Sequence, residues 1–378
     1  MFVPIKGLKL FLNPKLPDAD YQVLIRLAQR LMLPDHVLLA SSGTSGQLKL
    51  IALAQTALEV AAANVNQHIQ ASSKDVWALA LPLHHIGGFS VTVRAKLLGS
   101  KLAEFKDKWS AQQFVGFCTQ EKVTLTSLVP TQIWDFVQAK LQAPKTLRAV
   151  FVGGAALNPL LYEKARALGW PLLPCYGMTE TCAQVACASL ESLLKNEFPE
   201  LQVLRHVKVQ ETDEGKLQFS SVALLSCLAT DDSGWVSVID PKQNGWFVSE
   251  DFGEVVGNTL TVFGRGEDFV KISGEAVSLL QMQHMLEQLA PELSGKIVVL
   301  AMDHERNGSQ LILVSEEKIS TERTQKIIQE LDRKVLPVAR LQQVYVVQQV
   351  PKTELGKIKR AELCQILAQS RAQILWQR

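Results

Sequence analysis

Short apolar runs alternate with amphipathic stretches between residues 37 and 168, and this alternation limits the possible folds more than any other feature of the sequence. The apolar runs predict strands at 37–40, 50–54, 76–81, 123–128 and 147–152. The stretches between them predict helices at 56–71 and 88–98, a helix opened by Pro130, and a helix at 158–168 with Asn158 as its N-cap. We expect an α/β fold with parallel strands and helices on both faces of the sheet.

The pattern changes after residue 201, where strand-like runs are separated by polar turns. These runs lie at 203–210, 216–220, 222–228, 234–239 and 260–263. Beyond residues 264–268, strands at 269–272 and 343–347, helices at 279–289 and 321–331, two strands flanking a turn at 303–308 and a last helix are expected. The sequence thus predicts a large domain at 1–264 with a β-rich subdomain from about 202, a hinge at 265–268, and a small α+β lid domain at 269–378.

Charge and cysteine content exclude several classes of function. The chain has 378 residues, and its 39 Lys and Arg nearly balance its 37 Asp and Glu, which argues against a dedicated nucleic-acid binder. No apolar run approaches the ~18–20 residues of a membrane span, and Lys6 and Lys9 interrupt the apolar start of the chain. The six cysteines form no CxxC pair, which is typical of reduced thiols and of a cytoplasmic protein.

The segment Ser41-Ser-Gly-Thr-Ser-Gly-Gln-Leu-Lys49 lies between two predicted strands. Its glycines let the backbone approach an anion, its hydroxyls can donate hydrogen bonds, and Lys49 adds a positive charge, a combination that suits a triphosphate. It lacks the Gly-Lys-Ser/Thr of a Walker loop. A flexible turn is the alternative.

Further candidates follow predicted strands of the sheet. In open α/β sheets ligands bind at the carboxyl ends of strands, where this sequence has His84, His85, Gly87 and Gly88, and then Gly153-Gly154-Ala155. Structural histidines and a tight strand-to-helix turn are the alternatives. No cysteine lies at zinc-ligand spacing from the histidines.

The run Tyr176-Gly-Met-Thr179-Glu180-Thr is the most informative motif. An aromatic ring can stack on a base, a threonine can bind phosphate, and a carboxylate can hold Mg²⁺. Asp251 and Arg265 could bind ribose hydroxyls, and Lys357 stands in a polar loop from which it could reach a cleft. Taken singly, each of these residues could also be an ordinary turn or surface residue.

Together, and in this order, these motifs resemble the adenylate-forming superfamily, which includes acyl-CoA synthetases, luciferases and adenylation domains. The resemblance extends from about residue 38 to residue 360, and within the superfamily the o-succinylbenzoate-CoA ligases are the most similar group. It implies ATP, Mg²⁺ and coenzyme A as cofactor and co-substrates. A carboxylate would attack the α-phosphate of ATP, and CoA would then displace AMP from the acyl-adenylate.

The resemblance also implies a role for each motif. The catalytic residues would be Lys357, His85 and Glu180, with Glu180 as the metal ligand. ATP and AMP would be bound by Ser41, Ser42, Gly43, Thr44, Ser45, Gly46, Lys49, Gly153, Gly154, Ala155, Tyr176, Gly177, Thr179, Asp251 and Arg265. The acyl pocket would include His85, Gly87, Gly154 and Gln184, the hinge Glu267 and Asp268, and the CoA site Lys271, Ser273 and Gly274.

The sequence departs from the superfamily pattern at a few positions. Leu48 replaces the proline of the phosphate loop, and Glu250 precedes Asp251 where relatives have glycine. Only 40 residues precede the phosphate loop, so we expect a much shortened N-terminal subdomain, with part of the acyl or CoA surface missing or supplied by a second copy of the chain.

Two alternatives stay open at this stage. One is a ligase for another aryl or aliphatic acid, or an enzyme that loads a carrier protein. The other is a non-catalytic sensor of nucleotide or acyl ligands. The expected partners are small molecules rather than nucleic acid or membrane.

Overall fold

A computed structural model describes residues 2–5, 8–31, 33–42, 48–195, 197–232, 235–272, 275–304, 308–353, 358–369 and 372–378. Within these ranges, no helix combines the length and the apolar character needed to cross a membrane. By the density of its contacts the chain divides into two compact units, residues 1–249 with 254–261 and residues 250–253 with 262–378. The expected division into a large domain, a hinge and a lid domain, with boundaries at residues 264 and 268, stays a prediction.

Up to residue 187, strands and helices alternate along most of the chain. They are β1 (Phe2–Ile5), β2 (Leu8–Phe11), α1 (Asp18–Leu31), β3 (His36–Ser42), β4 (Leu48–Ala54), α2 (Gln55–His68), β5 (Val76–Leu79), α3 (Ile86–Leu98), β6 (Lys101–Glu104), α4 (Ala111–Gln120), β7 (Leu125–Leu128), α5 (Pro130–Gln138), β8 (Ala149–Val152), α6 (Pro159–Ala167), β9 (Leu172–Met178) and β10 (Ala183–Cys187). The 3-10 helix Thr179–Thr181 separates β9 from β10.

Strands β5 to β9 form a parallel sheet that contains the predicted strands at 76–81, 123–128 and 147–152. The expected parallel pairing is wrong for the predicted strands at 37–40 and 50–54, which pair antiparallel as β3 and β4 in another sheet. The strands of the parallel sheet lie in the order β9-β8-β7-β5-β6, and each pair is parallel. Trp77 and Phe151 pack with α2 and α3 on one face, with their rings 6.0 Å apart. Ala78 and Val150 pack with α4, α5 and α6 on the other. Successive residues of a strand point to opposite faces, so burial on both faces explains why these strands are continuous apolar runs.

Local capping fixes the start of the helix that follows β8. The side chain of Asn158 accepts hydrogen bonds from the backbone N–H groups of Leu160 at 2.7 Å and Leu161 at 3.3 Å. Pro159 occupies the first helical position, where its missing N–H costs nothing. The predicted N-cap is therefore confirmed.

After residue 187 the strands are β11 (Leu201–Val203), β12 (Lys208–Glu211), β13 (Lys216–Ser220), β14 (Cys227–Asp232), β15 (Trp235–Ile239), β16 (Phe247–Val256) and β17 (Thr259–Arg265). They are shared between two sheets. β14 and β15 extend the sheet β1-β2-β3-β4, and the others extend the parallel sheet beyond β9 and β10 in the order β12-β13-β16-β17-β11-β10. The pairs β12–β13, β14–β15 and β11–β17 are antiparallel.

Two of the predicted strands in this region are wrong in extent. The run 203–210 is divided by a turn in which the N–H of Val207 donates to the carbonyl of Leu204 at 3.1 Å. The run 222–228 is mostly a turn, because the hydroxyl of Ser221 accepts from the N–H of Ala223 at 3.0 Å and the strand begins only at Cys227. Leu224 and Leu225 are nevertheless buried, so their apolar character reflects burial and not strand pairing.

The rest of the chain contains β18 (Phe269–Ile272), β19 (Glu275–Ser278), α7 (Leu279–Leu289), β20 (Ile297–His304), β21 (Gly308–Ser315), α8 (Thr321–Asp332), β22 (Leu341–Val346), α9 (Arg360–Ala368) and β23 (Gln373–Gln377). Strands β20 to β23 form one sheet in chain order. Helices α7 and α8 pack on one of its faces, and α9 packs with Val350 on the other. The predicted α+β fold of this region is confirmed.

Candidate active site

The motifs that the sequence analysis singled out follow the carboxyl ends of parallel strands. His84 and His85 come after β5, Gly153 and Gly154 come directly after β8, and Glu180 comes after β9. Because parallel strands end at the same edge of a sheet, the fold gathers these residues at one edge. The backbone N–H of Gly153 donates to the carbonyl of Leu128 at the end of β7 at 3.3 Å.

The turn between β9 and β10 brings two chain segments unusually close at Gly177. A Cβ atom on this residue would lie 1.8 Å from the carbonyl oxygen of Ala183, so that no other residue fits without a backbone shift. Tyr176 precedes it on β9, and the two strands pair antiparallel with a bulge between Gln184 and Ala186. The tyrosine ring centre lies 6.2 Å from that of Phe219.

Thr181 holds the short helix that carries Thr179 and Glu180. Its hydroxyl oxygen accepts from the N–H of Met178 at 3.1 Å and also lies 2.9 Å from the carbonyl of Ala183. The carbonyl of Glu180 accepts from the N–H of Leu225 at 2.8 Å. These bonds fix the backbone of the motif and leave the carboxylate partly exposed.

Cys182 follows the same motif and is excluded as a nucleophile. It is buried, and desolvation raises the pKa of its thiol to about 12. A thiol with so high a pKa stays protonated near neutral pH. Cys182 is therefore a core residue of the turn.

His84 and His85 form the turn that leads into α3. The N–H of His85 donates to the carbonyl of Pro82 at 3.1 Å, and His85 is the N-cap residue of the helix. The two imidazole rings lie 4.4 Å apart, and both side chains are partly exposed. Gly87 lies in the first turn of α3.

The structure adds Arg94, a residue that the sequence analysis missed. It lies on α3 and is 1% exposed, and one end of its guanidinium donates to the amide oxygen of Gln184 and, at 3.1 Å, to the hydroxyl of Ser90. The guanidinium also lies over the rings of Trp77 and Phe151, at 5.5 and 5.0 Å from their centres. A charged residue within a largely apolar helix was the signal in the sequence.

The electrostatics of Arg94 are unusual. Burial lowers the pKa of its guanidinium to about 10, so the group is still charged at neutral pH. Among the described residues its hydrogen-bond partners are neutral, namely Ser90, Ser127 and Gln184. A buried charge normally has an opposite charge nearby. Arg94 therefore creates a positive potential behind Gln184, the residue predicted to line the acyl pocket.

Asp251 and Arg265, the predicted ribose ligands, lie in the second compact unit. The arginine Nε donates to Oδ1 of the aspartate at 2.9 Å, and Asp251 is 5% exposed. The structure thus brings these two residues together, as expected from the ribose-binding role that the resemblance implied for both. Asp268 of the predicted hinge lies in the same unit, three residues after Arg265.

The remaining predicted residues are described in part or not at all. Lys49 lies on β4, partly exposed, with its backbone between those of Ser41 and Thr230. The structure places the backbones of Ser42 on β3, Ala155 after β8 and Lys271 on β18, and Glu267 lies in the 3-10 helix Gly266–Asp268. Outside the described residues lie Gly43, Thr44, Ser45, Gly46, Ser273, Gly274 and Lys357.

The donor set suits a metal that binds with few protein ligands. In the ranges that the structure describes, no three His, Cys, Asp or Glu side chains cluster as a metal site. Mg²⁺ commonly binds through one or two carboxylates together with substrate phosphates and water. Glu180, with the hydroxyl of Thr179 next to it in the chain, is compatible with that mode of binding.

Comparison with known proteins shows a family match over part of the chain. Residues 34–211 match the family of AMP-binding enzymes. This segment includes the phosphate-loop region, the edge of the parallel sheet and the motif around Tyr176. The resemblance to the adenylate-forming superfamily is confirmed.

The particular relatives are 2-succinylbenzoate–CoA ligases. The enzyme of Staphylococcus aureus strain MSSA476 is 26% identical over 334 residues, covering 85% of this chain and 65% of the relative, and that of Enterococcus faecalis is 24% identical over 330 residues. The chain thus spans less than two thirds of the length of the Staphylococcus relative. The o-succinylbenzoate CoA synthetase (MenE) of Bacillus subtilis bound to AMP shares the fold, with a TM-score of 0.74 at 20% identity, covering 86% of this chain and 68% of that structure.

Proposed function

We propose that this chain is an ATP-dependent, AMP-forming acid–CoA ligase that converts o-succinylbenzoate to its CoA thioester in menaquinone biosynthesis. The AMP-binding family match and the names of the relatives support the reaction class. The strand order supports a site at the edge of the parallel sheet, because glycines, an aromatic residue and a carboxylate lie at or after the ends of the neighbouring strands β8 and β9. The acid, ATP and CoA are its substrates.

The first half-reaction would join the acid to AMP. In this proposal the ring of Tyr176 stacks near the adenine, and the backbone of Gly153 and Gly154 lines the nucleotide. Asp251 accepts hydrogen bonds from the ribose hydroxyls, and Arg265 supports it. Attack on a phosphoryl group depends mainly on positioning and charge neutralisation, which the phosphate-loop hydroxyls, Lys49 and Lys357 would provide.

Bound Mg²⁺ would neutralise phosphate charge. In this proposal Glu180 holds the metal, Thr179 binds phosphate, and His85 lies beside the acyl carboxylate. For the second half-reaction, the segment with Lys271, Ser273 and Gly274 would face the pantetheine of CoA after a turn about Glu267 and Asp268. A cytoplasmic location and a homodimer also stay predictions.

One observation carries the choice of acid: within the described part of the chain, the charge of Arg94 is bonded only to neutral side chains. The guanidinium fixes the amide oxygen of Gln184 and places a positive charge behind the predicted acyl pocket. An acid with a second carboxylate would be attracted there, while an acid with one carboxylate would leave this charge without a partner. o-Succinylbenzoate has two carboxylates, which is why we favour it over a simple aryl or fatty acid.

A pyrophosphate-release assay tests the proposed activity. The protein is incubated with ATP, Mg²⁺ and a panel of acids that contains o-succinylbenzoate, analogues lacking one carboxylate, and aryl and fatty acids. We expect the highest kcat/KM with o-succinylbenzoate, and thioester formation when CoA is added. Turnover of another acid alone would indicate a different ligase, and no turnover with any acid would favour a nucleotide or acyl sensor.

The variant Arg94→Gln tests the basis for substrate choice. Losing a hydrogen bond to a charged group typically costs about 1.5–3 kcal/mol, so we expect KM for o-succinylbenzoate to rise about tenfold or more. KM for ATP should be unchanged, and KM for an analogue with one carboxylate should rise only slightly. The control is Arg26→Gln, at a surface arginine of α1. An equal loss with both acids would contradict the role of Arg94.

A further inference from the structure

Asp268, at the predicted hinge, receives hydrogen bonds on both of its carboxylate oxygens. Oδ2 accepts from the backbone N–H of Arg265 at 3.0 Å, and Oδ1 accepts from the guanidinium of Arg360. Gly264 has a φ of 133°, and a Cβ there would lie 3.1 Å from Cβ of Asp268. The carboxylate is therefore packed across the turn at 264–268, and it links that turn to the start of α9.

Arg265 continues this network towards the predicted ribose site. Its backbone binds Asp268, while its side chain donates to Asp251 at 2.9 Å. A continuous chain of contacts thus runs from Asp251 through Arg265 and Asp268 to Arg360. All four residues belong to the second compact unit.

Arg360 stands three positions after Lys357 in the sequence, at the first residue of α9. The described residues on either side of Lys357 contact each other, because Lys352 forms a β-bridge with Ile358 and the N–H of Lys359 donates to the carbonyl of Pro351 at 2.9 Å. Ile358 also packs against the core beside α9. An ion pair at Arg360 therefore acts on the described residues that directly follow Lys357 in the chain.

From this network we propose that Arg360 is a positioning residue for adenylation: through its ion pair with Asp268 it holds residues 358–360, which directly follow Lys357 in the chain, in the arrangement used with ATP. The inference rests on the proposed function. Because a turn about Asp268 would change the surroundings of its carboxylate, the pair would be needed in the first half-reaction and dispensable in the second.

Three variants separate this role from general stabilisation. Arg360→Gln and Asp268→Asn each remove one partner, and the double variant removes both. Lys359→Gln is the control, since it removes the neighbouring ion pair with Glu362, at 3.1 Å, and leaves Asp268 untouched. Adenylation is measured by ATP–pyrophosphate exchange, and the second half-reaction by thioester formation from supplied acyl-adenylate and CoA.

We expect Arg360→Gln to lower kcat of the exchange reaction about tenfold to a hundredfold, as small misplacements of a catalytic group do. KM for ATP should stay within about twofold of the wild type, because the pair positions a catalytic segment and does not bind ATP. The rate of the second half-reaction should also stay within about twofold, because the pair is needed only in the first step. The double variant should lose no more than the larger single loss. Lys359→Gln should match the wild type in both assays.

Hydrogen exchange gives a readout that does not depend on activity. Breaking the pair should speed amide exchange in the first turn of α9 in Arg360→Gln and Asp268→Asn, and not in Lys359→Gln. Equal loss of both half-reactions, or additive losses in the double variant, would overturn the inference while leaving the proposed function intact. A wild type without exchange activity towards any acid would overturn the proposed function and, with it, the role of Arg360.

Discussion

At the scale of single residues, the site depends on places where only one kind of side chain fits. Gly177 is the clearest example, because the backbone of the next strand occupies the space of its Cβ. The motif around it was evident from the sequence as a candidate ligand site. The reason for its glycine was not, since Ala183 approaches only when β9 and β10 pair in the observed register.

We expect Gly177→Ala to lower the free energy of unfolding by at least about 3 kcal/mol, because the added methyl group would force two strands apart. Urea denaturation followed by circular dichroism measures the loss. The control is Gly116→Ala on α4, where nothing lies within 4 Å of the added atom. That variant should gain about 0.5–1 kcal/mol, and a similar loss in both would contradict the packing argument.

His206 makes the stability of the folded protein depend on pH in the acidic range. Both ring nitrogens are buried without a hydrogen-bond partner among the described residues, and burial lowers the pKa of the imidazole to about 4. The unfolded chain takes up a proton near pH 6.5, whereas the folded chain does so only near 4. Stability from this residue is therefore present above pH 6.5 and is lost as the pH falls towards 4.

The variant His206→Phe should remove this part of the pH dependence. We expect the wild type to lose more unfolding free energy than the variant when the pH is lowered from 7 to 4.5. Urea titration at both pH values measures this loss. His284, whose pKa is also lowered by burial, remains in both proteins and cancels. Parallel stability profiles would show that His206 does not titrate in this way.

At the scale of elements, an ion pair between the buried Asp75 and the partly exposed Arg148 joins the amino-terminal ends of the parallel strands. Asp75, just before β5, accepts from Arg148 at 2.8 and 2.9 Å and from the hydroxyl of Thr124 at 2.8 Å. Burial acts to raise the pKa of Asp75, but the hydrogen bonds from Arg148, Ser72 and Thr124 outweigh it, so the pKa lies below its usual value. This cluster lies at the end of the sheet opposite the site and is structural.

Asp75→Asn should cost about 3 kcal/mol of unfolding free energy, because it leaves the guanidinium of Arg148 without its counter-charge. The matched control is Glu121→Gln, which removes an exposed pair with Lys101 at 2.7 Å and should cost less than about 1 kcal/mol. Chemical denaturation at pH 7 measures both. Equal costs would mean that burial does not strengthen the pair at Asp75.

At the scale of the whole molecule, the proposed reaction divides its work between two half-reactions. The motif that contains Lys357 assigns this residue to the first half-reaction. Losing one preorganised charge typically costs 10²–10³-fold in rate, or about 3–4 kcal/mol. We therefore expect Lys357→Ala to lower ATP–pyrophosphate exchange by about that factor and to spare thioester formation from supplied acyl-adenylate. Equal losses in both assays would argue against the division.

The sequence by itself determined the elements and the order of the motifs. The alternation of apolar runs predicted β5, β7 and β8 with the helices α2, α3, α5 and α6, and Asn158 marked a helix start, because strand burial and capping depend on neighbouring residues. β6 and α4 were not predicted. The sequence also did not predict α1, β16 or β23, and it joined runs at 203–210 and 222–228 that turns interrupt. In these two runs, the buried apolar residues of a turn give the same sequence pattern as the buried apolar residues of a strand.

Only the tertiary structure decided which distant residues meet. Arg94 and Gln184 are 90 positions apart, and Asp268 and Arg360 are 92 apart. Neither pair follows from local pattern, because each requires a particular strand order and helix placement before the side chains come within hydrogen-bond distance. Local sequence determines what each segment can form, whereas the packing of the segments determines which charges are buried and what they contact.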